Sequence, residues 1–297
     1  MPNLPEQQKY DPWEVKQEIA FVKIEIHCSR YWMLSEWECV NLSLPFWRIY
    51  HSKLGGSFVR FKGAEIELTS NTLILIPPYT AFSSRIKTFK VNSESIKGVK
   101  IKSEEQIEHY KKSGLVDQFF VHFNLGYPYD KMTQDIYVCE LNEYWGNELR
   151  NIEIERLSSP NSINYYGSMQ LNSLLLYALQ MLLPKMWNIT IPDKRIAKVL
   201  SFIDENIGTE LLNSQLSDVA SMATNSFARL FKYVTQLTVQ QYIKQKRIEK
   251  AIMLFHHSSL DIDEIASECG FYDRHRFSNV FKKQTGFPPA TYRQKIG

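Results

Sequence analysis

The sequence predicts an α+β protein of two domains, a β-rich N-terminal part followed by a helical linker and an all-α C-terminal part with two helix-turn-helix units. Three observations carry this. Short alternating apolar runs broken by turn residues fill the first half, a 3.6-residue period replaces them after Asn164, and the helical tail repeats itself at an offset of fifty positions.

A chain of 297 residues exceeds the usual size of one domain, and each half is long enough to bury its own core. Hydrophobic residues at 44% and charged residues at 23% exclude a wholly disordered or collagen-like chain. Met1 to Pro12 is polar and carries Pro2 and Pro5, which offers neither a signal-peptide apolar region nor a spanning segment. A cytoplasmic protein with no membrane partner is expected. Cys28, Cys39, Cys139 and Cys269 are scattered, without the close pairs of zinc or redox motifs, and are expected to be reduced and mostly buried.

From Phe21 to about Leu141, strand signals alternate with turns: Phe58-Val59-Arg60-Phe61, then Lys62-Gly63, then Glu65 to Leu68, then Leu73 to Ile76 stopped by Pro77-Pro78. The Lys/Glu/Ser-rich stretch Ser83 to Asp117 reads as an excursion or mobile loop. The first domain is set at residues 1–164. A linker helix follows over 165–192, because Met169, Leu171, Leu174, Leu175, Ala178, Leu179 and Leu182 keep helical spacing until Pro184. That stripe is either a dimerisation element or a face buried against the β domain. Residues 193–297 look helical throughout.

Within that tail, Phe227, Phe231, Lys232, Thr235 and Tyr242 recur as Phe277, Phe281, Lys282, Thr285 and Tyr292. One constant offset implies two copies of one supersecondary unit. Each copy opens with a short helix, Leu216 to Ala220 or Ile262 to Cys269, then a turn carrying Met222 or Phe271, then a longer helix. Gly270 supplies the positive φ that the steep second turn needs, whereas Ser221 stands at the equivalent place in the first. At 100° per residue, Phe227, Leu230, Phe231 and Val234 share one stripe and leave Asn225, Arg229 and Lys232 opposite. The second helix buries Phe277, Val280 and Phe281 and exposes His275, Asn279 and Lys282, with Arg274, Arg276 and Lys283 beside them. These are the side-chain types that read base edges and phosphates. From Thr224 onward twelve Lys and Arg face six acids, a local charge of +6, which suits a polyanionic partner or a solvated basic face.

The run Ile262-Asp263-Glu264-Ile265-Ala266-Ser267-Glu268-Cys269-Gly270-Phe271, continuing through Phe277 to Lys283, Thr285-Gly286 and Pro289 to Arg293, resembles the AraC/XylS regulators. Arg247 to Ala251 is similar to the family's connecting helix, and Ala228 to Lys232 to its first unit. The likeness covers about 105 residues, Asp193 to Gly297. It departs at Thr235-Gln236, where the family has Thr-Gly, at Val239 in place of a proline, and at Leu212, where a capping Ser or Thr is expected and Asn213 or Ser214 would have to serve.

The resemblance implies a sequence-specific double-stranded-DNA-binding transcription regulator, by family expectation an activator with repressor left open, with the two second helices in successive major grooves. Asn225 and Arg229 would read one segment and His275, Arg276 and Asn279 the next, while Lys232, Lys282 and Lys283 hold phosphate. It further implies a small-molecule effector, a homodimer, and RNA polymerase as a partner.

Pro45 to His51, Leu75 to Tyr79 and Phe119 to Phe123 look like the cupin-type effector domain of this family, a small β-barrel able to hold one ligand. Strand alternation puts Phe46, Arg48 and Tyr50 on one face. Arg48 either orients a polar ligand such as a sugar or small acid, or faces water. Two other classes are weighed: a metal-dependent cupin enzyme with a DNA-binding tail, and a ligand-independent DNA binder. Against the first, His27, His51, His109 and His122 are isolated from one another along the chain, and no nucleophile elbow or phosphate-cradling loop occurs. No catalytic residue, metal ligand or cofactor is assigned.

Overall fold

The computed structural model describes residues 23–87, 95–159, 161–182 and 193–296. The expectations for Met1 to Pro12 and for Pro184 lie outside these residues. Strands β1 (Glu25–Leu42), β2 (Trp47–His51), β3 (Ser57–Phe61), β4 (Ala64–Glu67), β5 (Thr72–Ile76), β6 (Phe82–Ile86), β7 (Ser95–Lys100), β8 (Val116–Asn124) and β9 (Tyr137–Glu140) form one antiparallel sheet. The order is β4-β3-β6-β1-β8-β2-β5-β9, and β7 also pairs with β1.

The curl of this sheet comes from β1. Its 18 residues shift register between Ile26 and Cys28, between Leu34 and Glu36, and between Cys39 and Leu42. Such bulges bend a strand and add twist. The first part of β1 therefore pairs with β8 and its end with β6, closing a cupin-like half-barrel.

Pleat alternation then splits the apolar residues between two cores. Trp47, Ile49, Leu73, Leu75, Phe119, Val121 and Phe123 face helices α2 (Glu143–Ser158) and α3 (Tyr165–Gln180). Tyr50, Ile74 and Ile76 face the opposite way, with Trp37, Val59, Leu68 and Phe82, and fill the barrel. Each fully buried side chain of this kind contributes roughly 1.5–3 kcal/mol.

Three expectations change here. The polar stretch from Ser83 to Asp117 is not an excursion: it contains the end of β6, strand β7, helix α1 (Glu104–Lys112) and the start of β8, with residues 88–94 outside the description. Two helices, not one, follow the sheet. The α3 stripe Leu171, Leu174, Leu175, Ala178 and Leu179 is buried in the core beneath the sheet, so it is not a dimer seam, and Met169 lies exposed outside it.

The helical half comprises α4 (Lys194–Glu205), α5 (Asn213–Val219), α6 (Thr224–Thr235), α7 (Val239–His257), α8 (Ile262–Glu268), α9 (Arg274–Thr285) and α10 (Pro289–Ile296). One core gathers Ile196, Leu200, Leu216, Phe227, Phe231 and Tyr242; a second gathers Ile248, Ala251, Phe255, Ile265, Phe277 and Phe281. Both draw on α7, whose 19 residues span roughly 28 Å at 1.5 Å each.

Candidate nucleic-acid interface and effector pocket

The repeat is structural as well as textual. The Thr235 hydroxyl donates to the Phe231 carbonyl (2.8 Å) and accepts from the Leu237 amide (3.2 Å). Thr285 does the same with Phe281 (2.9 Å) and Phe287 (3.3 Å). Helix α6 ends in the left-handed region at Gln236 (φ 63°) and α9 at Gly286 (φ 82°). The two inner turns match as well, at Ser221 (φ 53°) and Gly270 (φ 70°). Glycine tolerates this backbone freely, so Ser221 and Gln236 hold it against a steric cost.

Capping differs between the units. Asp261 and Glu264 form a reciprocal box at α8, and the Asp273 carboxylate accepts from the Arg276 amide at α9. Helices α5 and α6 begin at Leu212 and Ala223 without a side-chain cap, so neither Asn213 nor Ser214 takes that role. The Asn213 side chain instead accepts from Gln240 (3.1 Å).

Arg247 ties the units together. It donates to the Ile207 carbonyl (3.2 Å) and the Thr209 carbonyl (2.7 Å), and its guanidinium lies 5.8 Å from the Phe271 ring centre. Lys250 donates to the Glu268 carbonyl (2.7 Å).

On this frame Asn225, Arg229 and Lys232 are exposed on α6, and Arg274, His275, Arg276, Asn279, Lys282 and Lys283 on α9. Phe227, Phe231, Phe277 and Phe281 are wholly buried beneath them. His275 and Asn279 touch each other at 3.3 Å, and Arg274 pairs with Asp263 (2.8 Å).

In the barrel, Phe46, Arg48 and Tyr50 do share one face. Arg48 is 0% exposed, which removes the water-facing alternative. Its Nη2 donates to the Thr80 carbonyl (3.4 Å) and its guanidinium lies 4.7 Å from the Phe82 ring centre, yet Nε and Nη1 have no hydrogen-bond partner. Burial pushes its pKa down, against the Tyr50 phenol beside it. A desolvated, half-satisfied guanidinium is costly unless an acceptor meets it.

The histidines are not isolated in space, contrary to their spread along the chain. His122 on β8 lies 3.2 Å from His257 on α7, and His27 stacks on His257 with ring centres 5.9 Å apart. Burial pushes His256 down to about 4 and His257 to about 3, and holds His122 well below its usual value. His51 turns to the other core, where it meets Glu153 at 2.9 Å, and His109 is exposed on α1. None of the four cysteines is in a disulfide; Cys39, Cys139 and Cys269 are buried and Cys28 half-buried.

A cavity of about 450 Å³ opens between the barrel and the helical half, lined among others by Asn124, Tyr127, Asp130, Asp204, Lys246 and Glu249. Burial works against the Lys246 ammonium, but Asp204 (3.1 Å) and Glu249 (3.4 Å) outweigh it and hold its pKa well above normal. Burial pushes Asp130 up to about 6, although the Leu125 amide (2.9 Å), the Trp47 indole (3.0 Å) and Asn124 donate to it. These residues come from segments distant in sequence and lie in no motif, so no sequence signal marks them.

Two α helices meeting at a left-handed turn, twice over on one connecting helix, define a tandem helix-turn-helix domain. The family model described as "Helix-turn-helix domain" matches residues 216–295. The HTH-type transcriptional activator RhaR of Cronobacter sakazakii is 45% identical over 76 residues, 26% of this chain and 27% of that protein. RhaS of Citrobacter koseri is 30% identical over 102 residues, 34% and 37% of the two chains. RhaR of Escherichia coli K12 is 32% identical over 111 residues, 37% and 38%.

The chain thus spans between 27% and 38% of the length of these relatives. Among solved structures, the DNA-binding domain of AdpA in complex with a target DNA is 27% identical, with a TM-score of 0.34 over 34% of this chain and 92% of that one. ToxT of Vibrio cholerae is 14% identical, with a TM-score of 0.47 over 93% and 98%. The C-terminal helical domain matches a helix-turn-helix family model and is similar in sequence to these HTH-type transcriptional activators. Among the described residues, no helix is long and apolar enough to cross a membrane.

Proposed function

We propose that this chain is a cytoplasmic, sequence-specific regulator of transcription that binds double-stranded DNA through α6 and α9 and activates in response to a small effector. The observation that carries this reading is the equivalence of two polar faces, Asn225, Arg229 and Lys232 on α6 and His275, Asn279 and Lys282 on α9, each backed by its own phenylalanine core and joined by α7. The named relatives, which match this part of the chain, are transcriptional activators.

In this reading Asn225 and Arg229 contact bases in one major groove, and His275, Arg276 and Asn279 in the next. Lys232, Lys282 and Lys283 hold phosphate, and Arg274 exchanges Asp263 for phosphate on docking. Residues 193–297 form the DNA-binding domain, 165–192 the linker and 1–164 the effector domain. Phe46, Arg48 and Tyr50 hold the effector, a sugar or small acid whose acceptors meet the unpartnered Nε and Nη1 of Arg48. The chain works as a homodimer, engages RNA polymerase, and performs no catalysis.

The test is recovery of genomic DNA fragments bound by the full-length protein. The expected result is a small set of sites with two elements about one helical turn, roughly 34 Å, apart. Recovery without sequence preference refutes the reading. A thermal-shift panel of sugars and small carboxylic acids, run with wild type and Arg48→Met, tests the effector site.

A further inference from the structure

We propose that Cys28, His122 and His257 form a binding site for a thiophilic d10 metal ion, Cu+ or Zn2+, that ties the barrel to helix α7. Cys28 comes from β1, His122 from β8 and His257 from the last turn of α7. Their ligand atoms all lie within 4.8 Å of one another.

The two imidazole nitrogens are spaced as ligands around one ion. His122 Nδ1 and His257 Nε2 are 3.2 Å apart. Two nitrogens bound at 2.0–2.1 Å in tetrahedral geometry stand about 3.3 Å apart. A hydrogen bond between the two neutral rings fits the same distance, and in either arrangement the far nitrogens, His122 Nε2 and His257 Nδ1, are without a partner.

The surroundings favour a metal with a dry coordination sphere. The Phe46 ring lies 4.8 Å from His122 and 5.2 Å from His257. Binding displaces the Cys28 proton to solvent and leaves a thiolate on the ion, because a coordinating thiol is deprotonated. One thiolate and two imidazoles select soft or borderline metals over Mg2+ or Ca2+. With two ligands on the sheet and one on α7, a bound ion stabilises the docked arrangement of the two halves.

The experiment uses the full-length protein, stripped with a chelator and titrated separately with Zn2+ and, anaerobically under chelator competition, with Cu+. X-ray absorption reports the ligands. One ion per chain with one sulfur and two imidazole nitrogens is expected. His257→Gln and Cys28→Ser should each weaken binding more than about a hundredfold, beyond the 10–100-fold typical of outer-shell changes. His109→Gln, on exposed α1, should leave it unchanged. Failure of wild type to bind either ion, or a sphere lacking sulfur, overturns the proposal; so does His257→Gln with wild-type affinity. The absorption measurement is made on unaltered protein and decides the matter even where a variant does not fold.

Discussion

The phenol of Tyr79 donates a hydrogen bond to the carboxylate of Glu249, which joins the loop after β5 to the middle of α7 across 170 positions of sequence. Tyr79 itself sits at φ 61°, held by the hydrogen bond its backbone N–H donates to the Leu44 carbonyl (2.8 Å). The neighbouring Thr80 carbonyl accepts from Arg48, so the barrel interior and the connector of the two helix-turn-helix units meet through four residues.

Replacement of Tyr79 by Phe is predicted to lower stability by about 1.5–3 kcal/mol, the size of a hydrogen bond to a charged group. It should also uncouple DNA affinity from any effector that binds at Arg48. Denaturant unfolding and DNA binding with and without that effector check both parts. An effector response of wild-type size in Tyr79→Phe would rule out this route.

The Arg48→Met variant is predicted to raise the melting temperature of the unliganded protein, because it removes a buried charge whose Nε and Nη1 are unpaired. It should also abolish stabilisation by effector. A drop of several degrees in differential scanning fluorimetry would mean that Arg48 is satisfied in solution.

Ser221→Gly is predicted to stabilise the protein by about 1 kcal/mol, since φ 53° strains a serine and not a glycine. Gly270→Ala should do the reverse: its Cβ would lie 2.9 Å from the Gly208 carbonyl oxygen at φ 70°. Urea denaturation of the two variants distinguishes the signs.

The turn at Gly270 and the faces of α6 and α9 were legible because local period and turn chemistry decide them. The alternation of Phe46, Arg48 and Tyr50 was legible for the same reason. Helix α2 was not, because its buried face includes Glu153 and Arg156, whose charges are met by His51 and Glu155 only in the folded state. Strand β7 was hidden by its polar composition, which its pairing with β1 tolerates. Cys28, His122 and His257 are distant in sequence, and only the docking of α7 on the sheet brings them together.

Asp130 gives a pH signature. Burial raises its pKa in the fold from the usual 3.8 to about 6, so between these values the folded state keeps a proton that the unfolded chain releases. Its contribution to stability is therefore largest in acid and is lost as pH rises through that window. Asp130→Asn should flatten the difference in melting temperature between pH 4 and pH 7 relative to wild type. An unchanged pH profile would place the Asp130 proton elsewhere.

The most direct measurement is competition binding at fixed salt with the full-length protein, wild type against Arg229→Ala, Asn279→Ala and Lys282→Ala, over a set of operator variants. Each of the first two should lose preference at one position, costing about 1–3 kcal/mol there, while Lys282→Ala weakens every duplex alike. Equal, sequence-independent losses for all three would contradict the assignment of the two helix faces to base reading.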